Sequence, residues 1–530
     1  MRSSRSRGAR AARAPSAAAA PARPGSRGAL VLALDCALVV ALWLAFVRSL
    51  GHGGVVLGYD SIRDISYALG IARGQVALDP MLAGMPAWYP PGMPALFALA
   101  SYASGRGIAE CYASAAWWAA WCNPLVLFLL VRAVWGRASA WVALPCVLLG
   151  SRWWMLHAAI PMASVQTVVL VLGTLWAWHR AALTGGGWRF LALLLGAATL
   201  WCHVLCGSLA LGAIALHACG DALHRRLARN VAGPGLLGRA ATVVGGAGVL
   251  GAPPLVLQLG MVRLNDAPHH WFGPELWDAR FALHAWSPFV ALFGLAGVVL
   301  AVRDWRRTGW LAAYFFLALV GSMLGYAGHG FGAPVPWIIP HEFQWHEQLA
   351  LMIAAATAIT ALARGVAART GRALAPAVTV AALVLAVGPA VPQLGVAGSY
   401  LLTMGPEWKP VLATANWLGA NAAVNSVVAA SPAAGYLVCG LSGSRVVSMP
   451  AGHLNPAAAA GPLGADLATM LATTRESTFV RLARLHGVGY LLATNDHEPQ
   501  ELLHARYEHW ASLEPVFRSD SAAVLYRVRL

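Results

Sequence analysis

The chain has 530 residues, of which 58% are hydrophobic and only 11% charged, with a net charge of +16 and a mean hydropathy of +0.62. A soluble enzyme carries about 25% charged residues, so this composition excludes one, and apolar runs of about 20 residues, each able to cross a bilayer, recur along the sequence. The arginines lie in the N-terminal tail and between apolar runs, a positive-inside pattern that accounts for the basicity through membrane topology rather than nucleic acid.

Residues 1–28, built of Arg, Ala, Pro, Ser and Gly, are expected to form a disordered basic tail in the cytoplasm. The apolar run 29–50 is too long for a signal peptide and reads as a signal anchor. Asp35 lies inside it, where an acid is costly; a functional role and a hydrogen-bonded helix contact are both open. The outer loop that follows, 51–111, gathers Asp60, Asp64 and Asp79 in a chain otherwise short of acid. Within it "DSIRDISYALGIARG" reads as a helix in which Asp60 and Asp64 share a face, with Arg63 beside them. Such a pair can bind a divalent cation or serve as base and orienter. A capped, solvated helix led by Asp60 is the plainer alternative. The apolar piece 93–104 is too short to span and reads as an interfacial helix.

Further along, "WHRAALTGGGWR", "DALHRRLARNVAGPGLLGR", "RDWRRTG" and "ARGVAARTGR" all fall on the cytoplasmic side when about eleven spans are counted. The opposite loops hold most of the acids. The loop "SRWWMLHAAIPMAS" offers Arg152 and His157 but no carboxylate, and "HHWFGPELWDARFALHAW" reads as interfacial aromatics or a cover over a site. The stretch "GHGFGAPVPWIIPHEFQWHEQLA" crowds His329, His341, Glu342, His346 and Glu347 at the approach to a span. Glu342 and His346 are one helical turn apart, a spacing that suits a metal, and an aromatic collar at headgroup depth suits the same residues. The eight cysteines lie mostly inside apolar runs and act as small hydrophobes, with no disulfide framework. Residues 395–530 change character: "RLARLHGVGYLLATN" reads as an amphipathic helix, a glycine turn and a buried strand, and "AAVLYRVRL" as a terminal strand. An odd number of spans puts this α/β domain outside.

An acid just after the first span, a helix ending in glycine, a "DP", and the aromatic-Pro-Pro of "WYPPGMPAL" together resemble the first outer loop of GT-C glycosyltransferases. These multispanning enzymes include protein O-mannosyltransferases, the lipid A aminoarabinose transferase and oligosaccharyltransferase catalytic subunits. The segment "WLGANAAVNSVVAASPAAGYLVCGLSGSRVV" followed by "RLHGVGYLLATN" is similar to the outer α/β domain of many of them. The resemblance implies an α-helical polytopic membrane protein of about 11 transmembrane helices, GT-C-like over 29–394, with an extracytoplasmic α/β domain over 395–530. It implies a divergent bacterial member, in the cytoplasmic membrane, that transfers a sugar with inversion from a polyprenyl-phosphate donor to a lipid, glycan or protein acceptor. Asp60 then matches the catalytic carboxylate, with Asp64 as the backup for that position. Arg63, Arg73, Arg152, His341, His346 and Tyr89 are candidates for the substrate and its lipid phosphate. Asp60, Asp64, Glu342 and His346 are candidate ligands for a divalent metal, Mg, Mn or Zn. Membrane lipids, the donor and the acceptor are the implied partners; nucleic acid is not. The chain departs from the commoner pattern in lacking an acid in the next outer loop, so a lipid-linked glycan transporter or a catalytically inactive relative in envelope assembly stands as the alternative.

Overall fold

The computed structural model describes residues 26–49, 59–151, 154, 162–228, 235–262, 287–332, 338–392, 408–450, 453–458, 460–494, 506–519 and 522–530. Most of the expected basic tail, Arg152, His157 and the aromatic loop at 269–286 lie outside these residues. The first helix, Ser26–Ser49, turns the polarity of a soluble helix around. Leu30, Leu34, Leu38 and Leu42, spaced four apart, are exposed, while Asp35, Val39, Trp43 and Val47 are buried. An outward row of leucines is what lipid selects on a helix whose same-face positions recur every three to four residues.

Six helices are long and apolar enough to cross a membrane, or seven if the pair Leu237–Leu250 and Ala252–Gly260, bent by 66°, counts as one span. The eleven spans expected from the sequence are not reached by length among the described residues. The helices Arg137–Leu149 and Pro288–Arg303 have 13 and 16 residues, about 20–24 Å, against a hydrocarbon core of about 30 Å. Apolar composition runs through such segments, but glycines and prolines cut the helices short. The 31-residue helix Pro340–Thr370 is the most enclosed of the spans, its alanine-rich length packed against Pro288–Arg303, Trp305–Gly330 and Arg137–Leu149.

The bundle has two chemically distinct poles. At one, Asp35 accepts from Arg132 at 2.5 Å and from Arg137 through both Nε and Nη2, at 2.9 and 2.7 Å. At this basic pole arginines also stopper helix ends: Arg307 donates to the Val134 carbonyl and Arg239 to those of Ala181 and Ala182.

The other pole carries the outer loop and a five-stranded sheet. Strands β1 (Val427–Ala429), β2 (Arg445–Val446), β3 (Val488–Thr494), β4 (Leu513–Ser519) and β5 (Ala523–Val528) pair in the order β2-β1-β3-β5-β4. The first three are parallel and the last two antiparallel to their neighbours. The expected local pattern is present: the amphipathic helix Glu476–His486 ends at Gly487, with φ +62°, and runs straight into β3. Alternate residues serve two cores, as the period of a strand requires. Leu491, Ala493, Val524 and Tyr526 meet Phe479, Leu482 and Trp510 on one face. Tyr490, Leu492 and Leu525 on the other share a core with Ile62, Ile65, Met81 and Trp88 of the outer loop. The loop even extends the sheet, since Leu82 bridges Val446 in parallel and the Val446 N–H donates to the Met81 carbonyl at 2.8 Å.

Candidate active site

The helix Tyr59–Ala72 opens with Asp60 in its first turn, where the helix dipole favours a negative charge. Asp64 follows one turn later on the same face. The helix is walled in on most sides, with Ile62, Ile65 and Ala68 fully buried. One wall is the helix Pro432–Ser442, so close at Gly440 that a Cβ there would run into Ile62. This approach seats Tyr436 against the acids, its hydroxyl accepting the Arg63 N–H at 3.2 Å.

Arg63 is the centre of the cluster. Its Nη2 donates to the Tyr89 hydroxyl at 3.0 Å, and the guanidinium carbon lies 3.9 Å from the Tyr89 ring centroid. Its Nη1 is 3.6 Å from Asp60 Oδ1 and its Nε is 3.5 Å from Asp64 Oδ1. His453 brings its Nδ1 to 3.6 Å from the same Asp60 oxygen and stacks on Tyr436 with ring centroids 4.5 Å apart. Glu342, in the first turn of Pro340–Thr370, is near enough to interact electrostatically with Asp60 and Arg63.

The two carboxylates differ in environment. The Asp60 side chain is 31% exposed and that of Asp64 is fully buried. Asp64 accepts the Ala163 N–H at 3.2 Å through Oδ2, but its Oδ1 and the facing Arg63 Nε have no hydrogen-bond partner among the described residues. Burial pushes the Asp64 carboxyl up to about 7, against the downward pull of Arg63. Burial also pushes the His453 imidazole down to about 4, so it is neutral at physiological pH despite Asp60. A reagent entering this site meets one accessible carboxylate, one that titrates near neutrality, and a single shared guanidinium.

Two features of the outer loop fix the frame. Asp79 opens the "DP" turn of the loop. It accepts the Met81 and Leu82 N–H groups at 2.8 and 3.2 Å, and its second oxygen accepts the Asn455 amide at 2.8 Å, tying the loop to the C-terminal domain. In "WYPPG", Pro90 and Pro91 stiffen the entry to the helix Gly92–Ser104, and a Cβ at Gly92 would lie 2.6 Å from the Trp201 carbonyl oxygen. Between this segment and the bent helix pair runs a cleft of about 200 Å³, with Tyr67, Gln75, Tyr89, Trp201, Pro253 and Leu257 in its wall. Tyr89 joins the cleft to Arg63.

Several expected site residues do other work. The Arg73 guanidinium is committed to the Gly443 and Ser442 carbonyls at 3.0 and 3.4 Å, so its geometry serves the end of a helix rather than a phosphate. His346 lies deep in the bundle, with Nδ1 2.5 Å from the Tyr314 hydroxyl and Nε2 3.5 Å from Cys206 Sγ. It therefore does not join Asp60, Asp64 and Glu342 as a metal ligand. His341 is half-buried beside Glu342, and Arg152 lies outside the described residues. A divalent metal fits the donor set poorly, because Arg63 already supplies the positive charge between the two carboxylates. Among the described residues no three His, Cys, Asp or Glu side chains are placed to hold one. Sequence reading missed His453, Tyr436 and Asn455, whose only local signal was a few polar and aromatic residues in an Ala- and Gly-rich stretch.

No protein-family model matches the sequence, and none of the curated proteins does either. Solved structures do match in fold. The oligosaccharyltransferase of Archaeoglobus fulgidus aligns with a TM-score of 0.58 at 12% identity, over 88% of this chain and 69% of that one. ArnT from Cupriavidus metallidurans aligns at 0.56 and 16% identity, over 94% and 98%. The mycobacterial arabinofuranosyltransferase AftD aligns at 0.55 and 16% identity, over 93% of this chain but 40% of that one. Related structures hold the archaeal enzyme with dolichol-phosphate and an inhibitory peptide, or with Zn and sulfate, and ArnT with undecaprenyl phosphate. The chain thus has the fold of the GT-C glycosyltransferases, which are multi-pass membrane proteins.

Proposed function

We propose that the protein is a membrane glycosyltransferase that moves a sugar from a polyprenyl-phosphate donor to a lipid, glycan or protein acceptor. The observation that carries this reading is the Asp60–Arg63–Asp64 cluster, seated where a membrane bundle meets the α/β domain in a fold shared with sugar transferases. The names of the solved neighbours support a transferase and do not favour the transporter.

Asp60 serves as the general base. It is the accessible member of the pair and can take the proton of an acceptor hydroxyl or amide as that group attacks the anomeric carbon. The bond to the lipid phosphate breaks on the opposite side, so a single displacement inverts the anomeric centre. Arg63 offers the positive charge that a departing phosphate needs, and Tyr89 holds that charge at the mouth of the cleft. The cleft accepts the prenyl chain. Asp64, buried and near half-protonated at neutral pH, orients Arg63 without claiming its full charge. No step runs through a metal. The basic pole faces the cytoplasm of a bacterial inner membrane by the positive-inside bias, and the sheet lies outside.

The test is reconstitution in liposomes with a polyprenyl-phosphate sugar, following release of the lipid phosphate, together with mass spectrometry of envelope glycans with and without the protein. Sugar transfer by the wild type that Asp60→Asn abolishes supports the reading; an inactive wild type across donor sugars sinks it.

A further inference from the structure

The acid cluster is completed from the far end of the chain. In the turn 453–458, Leu454 is buried in the core shared by the outer loop and the C-terminal domain. Asn455, also buried, spans two acceptors of the outer loop with one amide nitrogen, Asp79 Oδ2 and the Pro86 carbonyl, each at 2.8 Å. With both following residues anchored, the His453 ring is held flat on Tyr436, the planes 19° apart, and Tyr436 is held in turn by the Arg63 N–H. The ring nitrogen that results stands 3.6 Å from Asp60 Oδ1, with the His453 side chain only 14% exposed.

We propose that His453 is a positioning residue for Asp60: the C-terminal domain delivers an imidazole N–H that closes on the carboxylate and holds it for the acceptor. The kinetic part of this inference rests on the glycosyl-transfer reading. A separation of 3.6 Å is longer than a hydrogen bond, and contacts of this kind tighten when substrate completes a site. The chemistry of the donor suits the task. A neutral imidazole can aim a carboxylate while adding no second cation beside Arg63, so Asp60 keeps its basicity. Arg63 is shared between Asp60 and Asp64, whereas His453 is paired with Asp60, the proposed catalytic member.

Two measurements on the full chain in nanodiscs decide the matter. The first is a double-mutant cycle on Tm with Asp60→Ala, His453→Phe and the double variant. Interacting side chains give non-additive shifts; additive shifts overturn the proposal whether or not the protein transfers sugar. If His453→Phe does not fold, the cycle runs with His453→Gln, whose amide is too long to match Nδ1. The second is transfer from a polyprenyl-phosphate sugar. His453→Phe keeps a ring on Tyr436 but loses the N–H, and is expected to lower kcat about tenfold with KM unchanged. His453→Asn, which offers an N–H near the place of Nδ1, is expected to recover most of that loss. Wild-type kcat in His453→Phe, or a His453→Asn no better than His453→Phe, overturns the proposal. A wild type that transfers nothing breaks the glycosyl-transfer reading instead, and the Tm cycle still decides His453.

Discussion

Asp35 and Asp64 are both buried acids, 2% and 0% exposed, at opposite poles of one molecule. Asp35 is saturated: two guanidinium groups reach it, one of them through a two-pronged contact, at 2.5 to 2.9 Å. Asp64 has one backbone N–H at 3.2 Å, an arginine that stops at 3.5 Å, and an oxygen with no hydrogen bond among the described residues. Asp35 is held closely and Asp64 loosely, and the proposed function places its chemistry at the loosely held acid. The same division separates the arginines: Arg132, Arg137, Arg239 and Arg307 close off helix ends and pair a lone acid, whereas Arg63 is divided among two acids and a tyrosine.

The sharpest way to break this comparison is Asp60→Asn. Loss of a general base should cut transfer by about 10²–10⁴-fold while insertion and Tm stay close to wild type, and a variant retaining near-normal rates would remove Asp60 from the chemistry. Asp35→Asn should do the reverse, lowering the yield and Tm of folded protein while each folded molecule turns over normally; a slowed turnover with unchanged Tm would erase the distinction between the poles. Asp64→Asn tests the under-paired acid through pH. Its folded carboxyl sits near 7, above the ordinary 3.8, so the stability it contributes is fully present below about pH 4 and is lost as pH rises through 7. The neutral Asn variant should therefore gain on wild type as pH rises from 5 to 8, by up to a few kcal/mol. Thermal melts with a pH-independent difference would contradict it. Asp79→Ala removes three hydrogen-bond acceptances, one of them the tie to Asn455, and should cost about 1–3 kcal/mol in denaturant melts. The smallest expected effect is that of chelation: EDTA should leave transfer unchanged, since Arg63 holds the place of a cation between the carboxylates, and a metal-dependent rate would reopen the site's composition.

What the sequence disclosed was local. The helix at 59–72, the short helix after "WYPPG", the amphipathic helix with its glycine stop and the strands β3 and β5 all follow from periodicities of a few residues. The pairing of Asp60 and Asp64 on one face was legible for the same reason. The span count was legible only in part: six or seven helices reach spanning length among the described residues, and glycines and prolines, over which hydropathy averages, shorten or bend others. The fate of His346 was not legible: a spacing of four from Glu342 says that the two share a face, but not that one meets Asp60 and Arg63 while the other meets Tyr314 and Cys206. Tyr436 and Asn455 lay beyond reach altogether, separated from their partners Arg63 and Asp79 by 373 and 376 positions.

The bridge between Leu82 and Val446 has a consequence for biogenesis. Strand β2 is two residues long, and its outer edge is finished by a segment made far earlier in translation, as is the Gly443 carbonyl that Arg73 meets across 370 positions. At about 5–20 residues per second, the outer loop waits roughly 20–70 s for those partners. During that interval the face of the Tyr59–Ala72 helix that packs on Pro432–Ser442 lacks that partner, while its other sides are already covered by the helices Gly92–Ser104 and Ile108–Ala113. Once the last strands emerge, an unfinished sheet edge that would otherwise invite pairing with another chain finds its complement already anchored at the membrane. The C-terminal domain thus has a template for its edge only on the face that carries the first loop, which couples placement of that loop to the final step of folding.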